Sequence, residues 1–287
     1  MIVIIILVSI CLLYLWMIHP QNLKDEKWEG FRHYYYAHRG LHDSQSNIPE
    51  NSMAAFLKAV ENGYGIELDV QLTKDGIPVI FHDEKTGRLL RDEKGAVVNK
   101  VLTELTLEEL ERYHLLASEE KVPLFEDVLK LVDGKVPLIV ELKVANSSTD
   151  TNGLCSKADL LLQKYHGLYC VESFHPACVN WYHKNRPEII RGQLAERPNA
   201  QAKGKMCIAM TIMQYLLTNF ITRPNFIAYN HHNRHNLSRM LCHCLFRNPA
   251  IAWTIRSKEE LEDNCKYFDY FVFEHFIPNS KSSSEEQ

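Results

Sequence analysis

Residues 63–83 read "GYGIELDVQLTKDGIPVIFHD". An apolar run carries Glu67 and Asp69 two residues apart, breaks at "TKDG", resumes as "IPVIFH" and ends on His82. A plain buried strand would carry no acids, because an ionised carboxylate left unpaired in an apolar interior is costly. Four residues cannot form the crossover that a parallel partner strand needs. An Asp-Gly turn is instead a hairpin signal. The stretch is therefore predicted to be one strand that turns at Lys74–Gly76 and returns antiparallel. Pairing about residue 75 brings His82 back beside Asp69, and the period of two puts Glu67 and Asp69 on one face.

Outside this hairpin, strand-like runs alternate with helical patterns. Strands are predicted at Tyr34–His38, Ile66–Leu72, Leu138–Leu142, Leu168–Glu172, Ile189–Leu194, Phe226–Tyr229, Ile251–Thr254 and Asp269–Phe273. Helical stretches lie between them. "PENSMAAFLKAVENG" has Pro49 and Asn51 near its start and Gly63 past its end, which are start and stop signals. "TLEELERY" opens with Thr106 and has Glu109 three residues on, and "SKEELEDN" repeats the pattern at Ser257 and Glu260; both are capping boxes. Eight strand–helix units imply an α/β protein with parallel strands. About 250 residues is the usual size of a closed (β/α)8 TIM barrel. An open doubly wound sheet is the alternative, but no Gly-rich nucleotide fingerprint follows any strand.

The first residues depart from this pattern. "IVIIILVSICLLYLWMI", Ile2–Ile18, carries no charge in 17 residues. It reads as an uncleaved single-pass transmembrane helix over residues 1–19, with Tyr14 and Trp16 as interfacial aromatics. A secretory signal peptide is the competing reading, but no basic residue precedes the run and no small-residue cleavage site follows it. Residues 20–33 read as a linker, 34–278 as the barrel with an insertion at 84–130, and 279–287 as a polar tail. Lys24, Lys27 and Arg32 follow the span and none precedes it, which leans toward a cytoplasmic main domain. Cysteine usage agrees. Cys11 lies in the span and seven others follow without a regular framework, as expected of free thiols.

Hydrophobic residues make up 46% of the 287, enough for a sizeable core, and the net charge of -4 excludes a basic nucleic-acid face. Polar groups gather instead at predicted strand ends, the rim where such barrels place their chemistry. The first strand ends in His38 and Arg39, the third in Glu141 and Lys143, the fourth in Glu172, Ser173 and His175, and the seventh in Trp253 and Arg256. Glu67, Asp69 and Glu141 offer three hard oxygen donors, suited to Mg²⁺ or Ca²⁺. Arg39 and Lys143 supply positive charge for a phosphate. His38 and His82 can exchange protons near neutral pH. Each motif alone has a bland reading: E-x-D as a solvated strand face, "HRG" as a loop, His82 as a structural histidine. Their joint placement on one rim suits cleavage of a phosphodiester.

"AHRG", "PENSMAAFLKAV", "GIELDVQLTKDGIPVIFHD" and "LIVELK" together resemble the H-R…E-x-D…H…E-x-K core of the glycerophosphodiester phosphodiesterase family. The likeness is dense from Tyr36 to Lys143 and thinner through "VESFHP" and "AWTIR". It implies a (β/α)8 barrel and metal-dependent hydrolysis of a glycerophosphodiester to glycerol 3-phosphate and an alcohol. His38 and His82 would be the acid/base pair. Glu67, Asp69 and Glu141 would bind the divalent cation, Arg39 and Lys143 the phosphate, and Trp253 would line the substrate pocket. The insertion after the hairpin would form a small cap over the rim. Three stretches depart from the family pattern: Arg256 after "AWTI", "FVFEHFIP" at the last strand, and the histidine-rich "YNHHNRHN". Two other functions compete with that hydrolase: lysophospholipase D-like cleavage of membrane lysophospholipids, and a non-catalytic, membrane-tethered phosphate-binding module.

Overall fold

The computed structural model describes residues 1–43, 46–146, 149–198 and 203–279; the expected polar tail lies outside them from residue 280 on. In chain order the strands are β1 (Tyr36–His38), β2 (Gly65–Leu72), β3 (Pro78–Ile80), β4 (Leu90–Arg91), β5 (His114–Leu115), β6 (Leu138–Leu142), β7 (Tyr169–Ser173), β8 (Arg191–Ala195), β9 (Phe226–Asn230), β10 (Ala250–Ile255) and β11 (Tyr270–Phe273). The helices are α1 (Ile2–Ile18), α2 (Glu29–Arg32), α3 (Met53–Glu61), α4 (Leu107–Leu110), α5 (Phe125–Val132), α6 (Thr151–Leu162), α7 (Pro176–Asn185), α8 (Gly204–Gln214), α9 (Asn219–Thr222), α10 (Leu237–Met240) and α11 (Lys258–Asn264).

Strands β1, β2 and β6 to β11 pair side by side in parallel, and β1 closes the ring by pairing with both β2 and β11. This is the expected closed eight-stranded barrel. Leu68, Val70, Val140 and Leu142 pack outward with Phe56, Val128 and Leu154. Tyr36, Ile139, Phe226 and Tyr270 belong to a second cluster with Trp28 and Phe31. Residues 20–33, read as a connecting stretch, thus pack against the N-terminal ends of the strands: Trp28 lies against Phe226 and Tyr270, and Tyr36 Oη donates to Phe31 O. That leaves the opposite rim for chemistry.

The hairpin forms as predicted, with its strand pairs centred on residue 75. β3 pairs antiparallel with β2 through Val70–Ile80, and Phe81 N donates to Asp69 O. Gly76 takes a positive φ of 76° in the turn, a conformation that glycine adopts without steric cost. Beyond it, β4 and β5 pair with each other over a separate small cluster that includes Phe81, Leu90, Leu102 and Leu115.

The expectation of a transmembrane helix over residues 1–19 is corrected. Among the described residues no helix is long and apolar enough to cross a membrane. The 17 residues of α1 span roughly 26 Å, against a hydrocarbon core of about 30 Å. Its last turns also lie against the barrel. Ile18 is buried, Tyr14 Oη shares a 2.6 Å hydrogen bond with Ser238 Oγ, and the Trp16 ring sits 4.7 Å from that of Phe220.

Candidate active site

The C-terminal strand ends bring the predicted acids together. Parallel register sets Asp69 opposite Glu141, and His38 opposite Glu67. All three acids are buried, and one oxygen from each lies within 4.8 Å of the others. Arg39 is pinned above them. Its backbone N–H donates to Glu67 Oε2 at 3.1 Å, its Nε lies 3.4 Å from Asp69 Oδ2, and its Nη1 donates to Glu50 at 2.6 Å. Lys143 Nζ sits 2.9 Å from Glu141 Oε1 and 3.5 Å from Asp69 Oδ1. Asn51, held at positive φ before α3, donates to Asp69 Oδ2 at 2.8 Å.

This cluster is electrostatically unequal. Burial pushes the Glu67 carboxyl well up, and its neighbours Asp69, Glu141 and Glu172 add to the rise. Burial also raises Glu141, which Lys143 partly offsets. Burial acts the same way on Asp69, but Lys143, His82 and Arg39 outweigh it and hold Asp69 far below the usual carboxylate range. Among the described residues, Asp69 Oδ1 is buried without a hydrogen-bond partner, and so is Glu172 Oε2. Crowded acids, an all-oxygen donor set and a buried oxygen without a hydrogen bond fit a hard divalent cation. Glu67, Asp69 and Glu141 are the residues that would hold it.

Both histidines flank the acids. His38 Nε2 lies 3.9 Å from Glu67 Oε2, and its Nδ1 is 2.5 Å from Glu274 Oε2. Burial pushes the His38 imidazole down to about 4, and the hydrogen bond to Glu274 works against that fall. His82 is carried back by the hairpin close enough to Asp69 and Glu141 for its charge to act on both. Its Nδ1 lies 2.7 Å from Asp83 Oδ1. Arg88 bonds Asp83 and Glu50 together, tying the hairpin end to the segment before α3.

Trp253 packs edge-on to Phe174, with ring centroids 5.5 Å apart, and Lys143 Nζ sits over the Phe174 ring at 5.8 Å. Beside them lies a cavity of about 560 Å³. Glu141 and Lys143 stand at its polar end; Leu142, Val144, Phe174 and Met213 line much of the rest.

Four site residues escape the sequence reading: Glu274, Glu50, Asn51 and Asp83. Glu274 was seen only as a departure in "FVFEHFIP", although it bonds His38 and also meets Arg256, the other departure, at 2.8 Å. Glu50 and Asn51 were read as part of a helix start, yet they hold Arg39 and Asp69. Asp83, adjacent to His82, was the one partner whose position could have been read directly. Glu172 was noted as a strand-end acid; register places it opposite Glu141.

Fold and site together define a (β/α)8 barrel whose C-terminal rim carries a buried acidic trio, two cations and two carboxylate-bonded imidazoles. Residues 38–263 match the Glycerophosphoryl diester phosphodiesterase family, and the chain belongs to that family. A Bacillus altitudinis glycerophosphodiester phosphodiesterase is 35% identical over 163 residues, 54% of this chain and 63% of that protein. One from Caldanaerobacter subterraneus subsp. tengcongensis is 40% identical over 115 residues, 37% of this chain and 44% of its own length. The matched segments thus span less than two thirds of these relatives. Among solved structures, an Oleispira antarctica phosphodiesterase in complex with the product sn-glycerol-3-phosphate is similar with a TM-score of 0.65 at 21% identity, covering 86% of this chain and 94% of that one. A Thermotoga maritima glycerophosphodiester phosphodiesterase is similar with a TM-score of 0.60 at 20% identity, covering 84% and 94%. Likeness at this identity speaks to the fold.

Proposed function

We propose that the protein hydrolyses glycerophosphodiesters to glycerol 3-phosphate and an alcohol, using a divalent cation and the His38/His82 pair. The observation that carries this reading is the convergence of Glu67, Asp69 and Glu141 with both imidazoles on one rim. Mg²⁺ or Ca²⁺ bound by the three acids would supply Lewis-acid stabilisation of phosphate charge. Arg39 and Lys143, already beside the acids, grip the non-bridging oxygens. Glu274 and Asp83 accept from the Nδ1–H of their histidines, which leaves each Nε2 free for proton transfer. His38, held neutral by burial, accepts a proton from the attacking water. The water oxygen bonds to phosphorus, the phosphorus–alcohol oxygen bond breaks, and His82 protonates the departing oxygen. The family membership and the relatives named glycerophosphodiester phosphodiesterase support the same chemistry.

The apolar cavity favours a second reading of the substrate. A lysophospholipid carries the same diester with one acyl chain, and a cavity starting at Glu141 and Lys143 could take that chain. Assay of the full chain with Mg²⁺ or Ca²⁺ on glycerophosphocholine and lysophosphatidylcholine separates the two. Release of glycerol 3-phosphate from the first supports the primary reading, and faster release of choline from the second supports the other. No turnover of either diester under both cations rejects both.

A further inference from the structure

His231 and His232, from the stretch "YNHHNRHN", take no part in the site described above. β9 ends at Asn230, and the chain then turns through a short 3-10 helix, His231–Asn233. The Asn230 side chain accepts from His232 N at 3.1 Å and sets that turn. β9 and β10 stand across the ring from β2 and β6, which carry the acidic trio. After β10, Ser257 caps α11, and Glu260 sits in the first turn of that helix. Among the described residues, one ring nitrogen each from His231 and His232 and one carboxylate oxygen of Glu260 lie within 4.8 Å of one another. The two imidazoles are 4.0 Å apart between ring centroids. His231 Nε2 lies 3.7 Å from Glu260 Oε2. Two donors bound to one tetrahedral ion stand roughly 3.3 Å apart, so a small side-chain shift closes this pair on a metal.

His231 is 3% exposed, and its Nε2 has no hydrogen-bond partner among the described residues. A buried polar nitrogen left so is costly, and folded proteins normally supply a partner. Glu260 stands too far away to fill that role by a hydrogen bond. Asn264 Nδ2 lies 3.4 Å from the other ring nitrogen, Nδ1, a contact too long to lock the tautomer. Burial disfavours the imidazolium and leaves the neutral ring, the form that ligates a metal. Arg256 and Arg234 are near enough for their charge to act on His231. Both are engaged elsewhere: Arg256 with Glu274 at 2.7 Å, and Arg234 over the Tyr267 ring at 5.1 Å. His232 is exposed, which leaves a side open for water as a fourth ligand. Two imidazoles and one carboxylate suit a borderline ion such as Zn²⁺, whereas Mg²⁺ and Ca²⁺ prefer oxygen alone. We propose that His231, His232 and Glu260 form a second metal site, for Zn²⁺, that clasps the turn after β9 to the start of α11. Arg256 N donates to Glu260 Oε2 at 2.7 Å, so the clasp adjoins the arginine that holds Glu274.

The test titrates the full chain with Zn²⁺ by calorimetry in excess Mg²⁺, which competes for the oxygen trio. The variants are His232→Ala, Glu260→Gln and, as a control at the trio, Glu67→Gln. His232 is exposed, and glutamine at 260 keeps an acceptor for Arg256 N. The parent should bind a Zn²⁺ ion that excess Mg²⁺ does not displace, and that ion should raise the thermal midpoint. His232→Ala and Glu260→Gln should each weaken it roughly ten-fold or more and lose the rise in midpoint, while Glu67→Gln retains both. Co²⁺ gives a second readout: the visible absorption of a four-coordinate ion should appear with the parent and Glu67→Gln and not with His232→Ala. Equal Zn²⁺ affinity in the parent and either His232→Ala or Glu260→Gln overturns the proposal, as does a parent that binds no Zn²⁺ in excess Mg²⁺. An ion lost from Glu67→Gln but kept by His232→Ala belongs to the trio and overturns it as well.

Discussion

His38 Nδ1 lies 2.5 Å from Glu274 Oε2, although 236 residues separate the two in sequence. The bond fixes the imidazole with Nε2 toward Glu67. Glu274 is itself held by Arg256 at 2.8 Å, so the last two strand ends support the first.

Glu274 is therefore a positioning residue. Glu274→Gln should lower kcat by roughly 10² to 10⁴ while KM changes little. The carboxylate also raises the His38 pKa against burial, so its loss should move the acid limb of the pH profile to lower pH. An unchanged acid limb would contradict this role even if kcat fell.

His38→Ala and His82→Ala should each reduce turnover by roughly 10² to 10⁴. His82 is partly exposed and, among the described residues, bonds only its neighbour Asp83, so His82→Ala should leave the thermal midpoint nearly unchanged. Activity near that of the parent in either variant would remove that histidine from the chemistry.

Cation binding should weaken as pH falls. Burial and neighbouring acids raise Glu67 and Glu141, so as pH falls these groups take up protons that cation binding must displace. Calorimetry at two pH values in buffers of different ionisation enthalpy measures that release. Glu67→Gln should reduce affinity, and equal affinity in parent and variant would exclude Glu67 as a ligand.

Burial of His38 carries a stability cost with a defined sign. Its folded pKa of about 4 lies below the unfolded value of 6.5. Between those values the unfolded chain binds more protons, so this group makes stability fall as pH drops from 6.5 toward 4. Denaturant midpoints for the parent and His38→Gln should converge across that window; parallel curves would contradict the assignment.

Gly192 on β8 tests the barrel packing. A Cβ there would fall within 2.2 Å of two ring atoms of the fully buried Phe226. Gly192→Ala should cost about 1–3 kcal/mol in denaturant unfolding. A neutral effect would mean that the barrel interior yields more easily than its packing implies.

Much of this molecule was legible in local pattern. The eight barrel strands fall within about two residues of the runs read from period and punctuation, the normal scatter of element ends. The hairpin that returns His82 to Asp69 follows from a connection too short for a crossover. Two features lay beyond such patterns. Glu274 serves His38 through a contact made only when β11 closes against β1, so no short window of sequence contains it. The run "MCIAMTIMQYLLTNF" reads as one helix, yet it divides where Leu216 takes a positive φ of 55° and buries fully; tertiary packing overrode local propensity there. The first 19 residues misled in the opposite way, since apolar composition alone cannot distinguish a bilayer crossing from a helix docked on the barrel.

The most direct test of the central claim is ³¹P NMR of glycerophosphocholine incubated with the full chain, with a divalent cation and then with excess chelator. The account predicts a growing glycerol 3-phosphate resonance that stops on chelation and does not appear with His82→Ala. Release of phosphocholine instead, or turnover unaffected by the chelator, would contradict it.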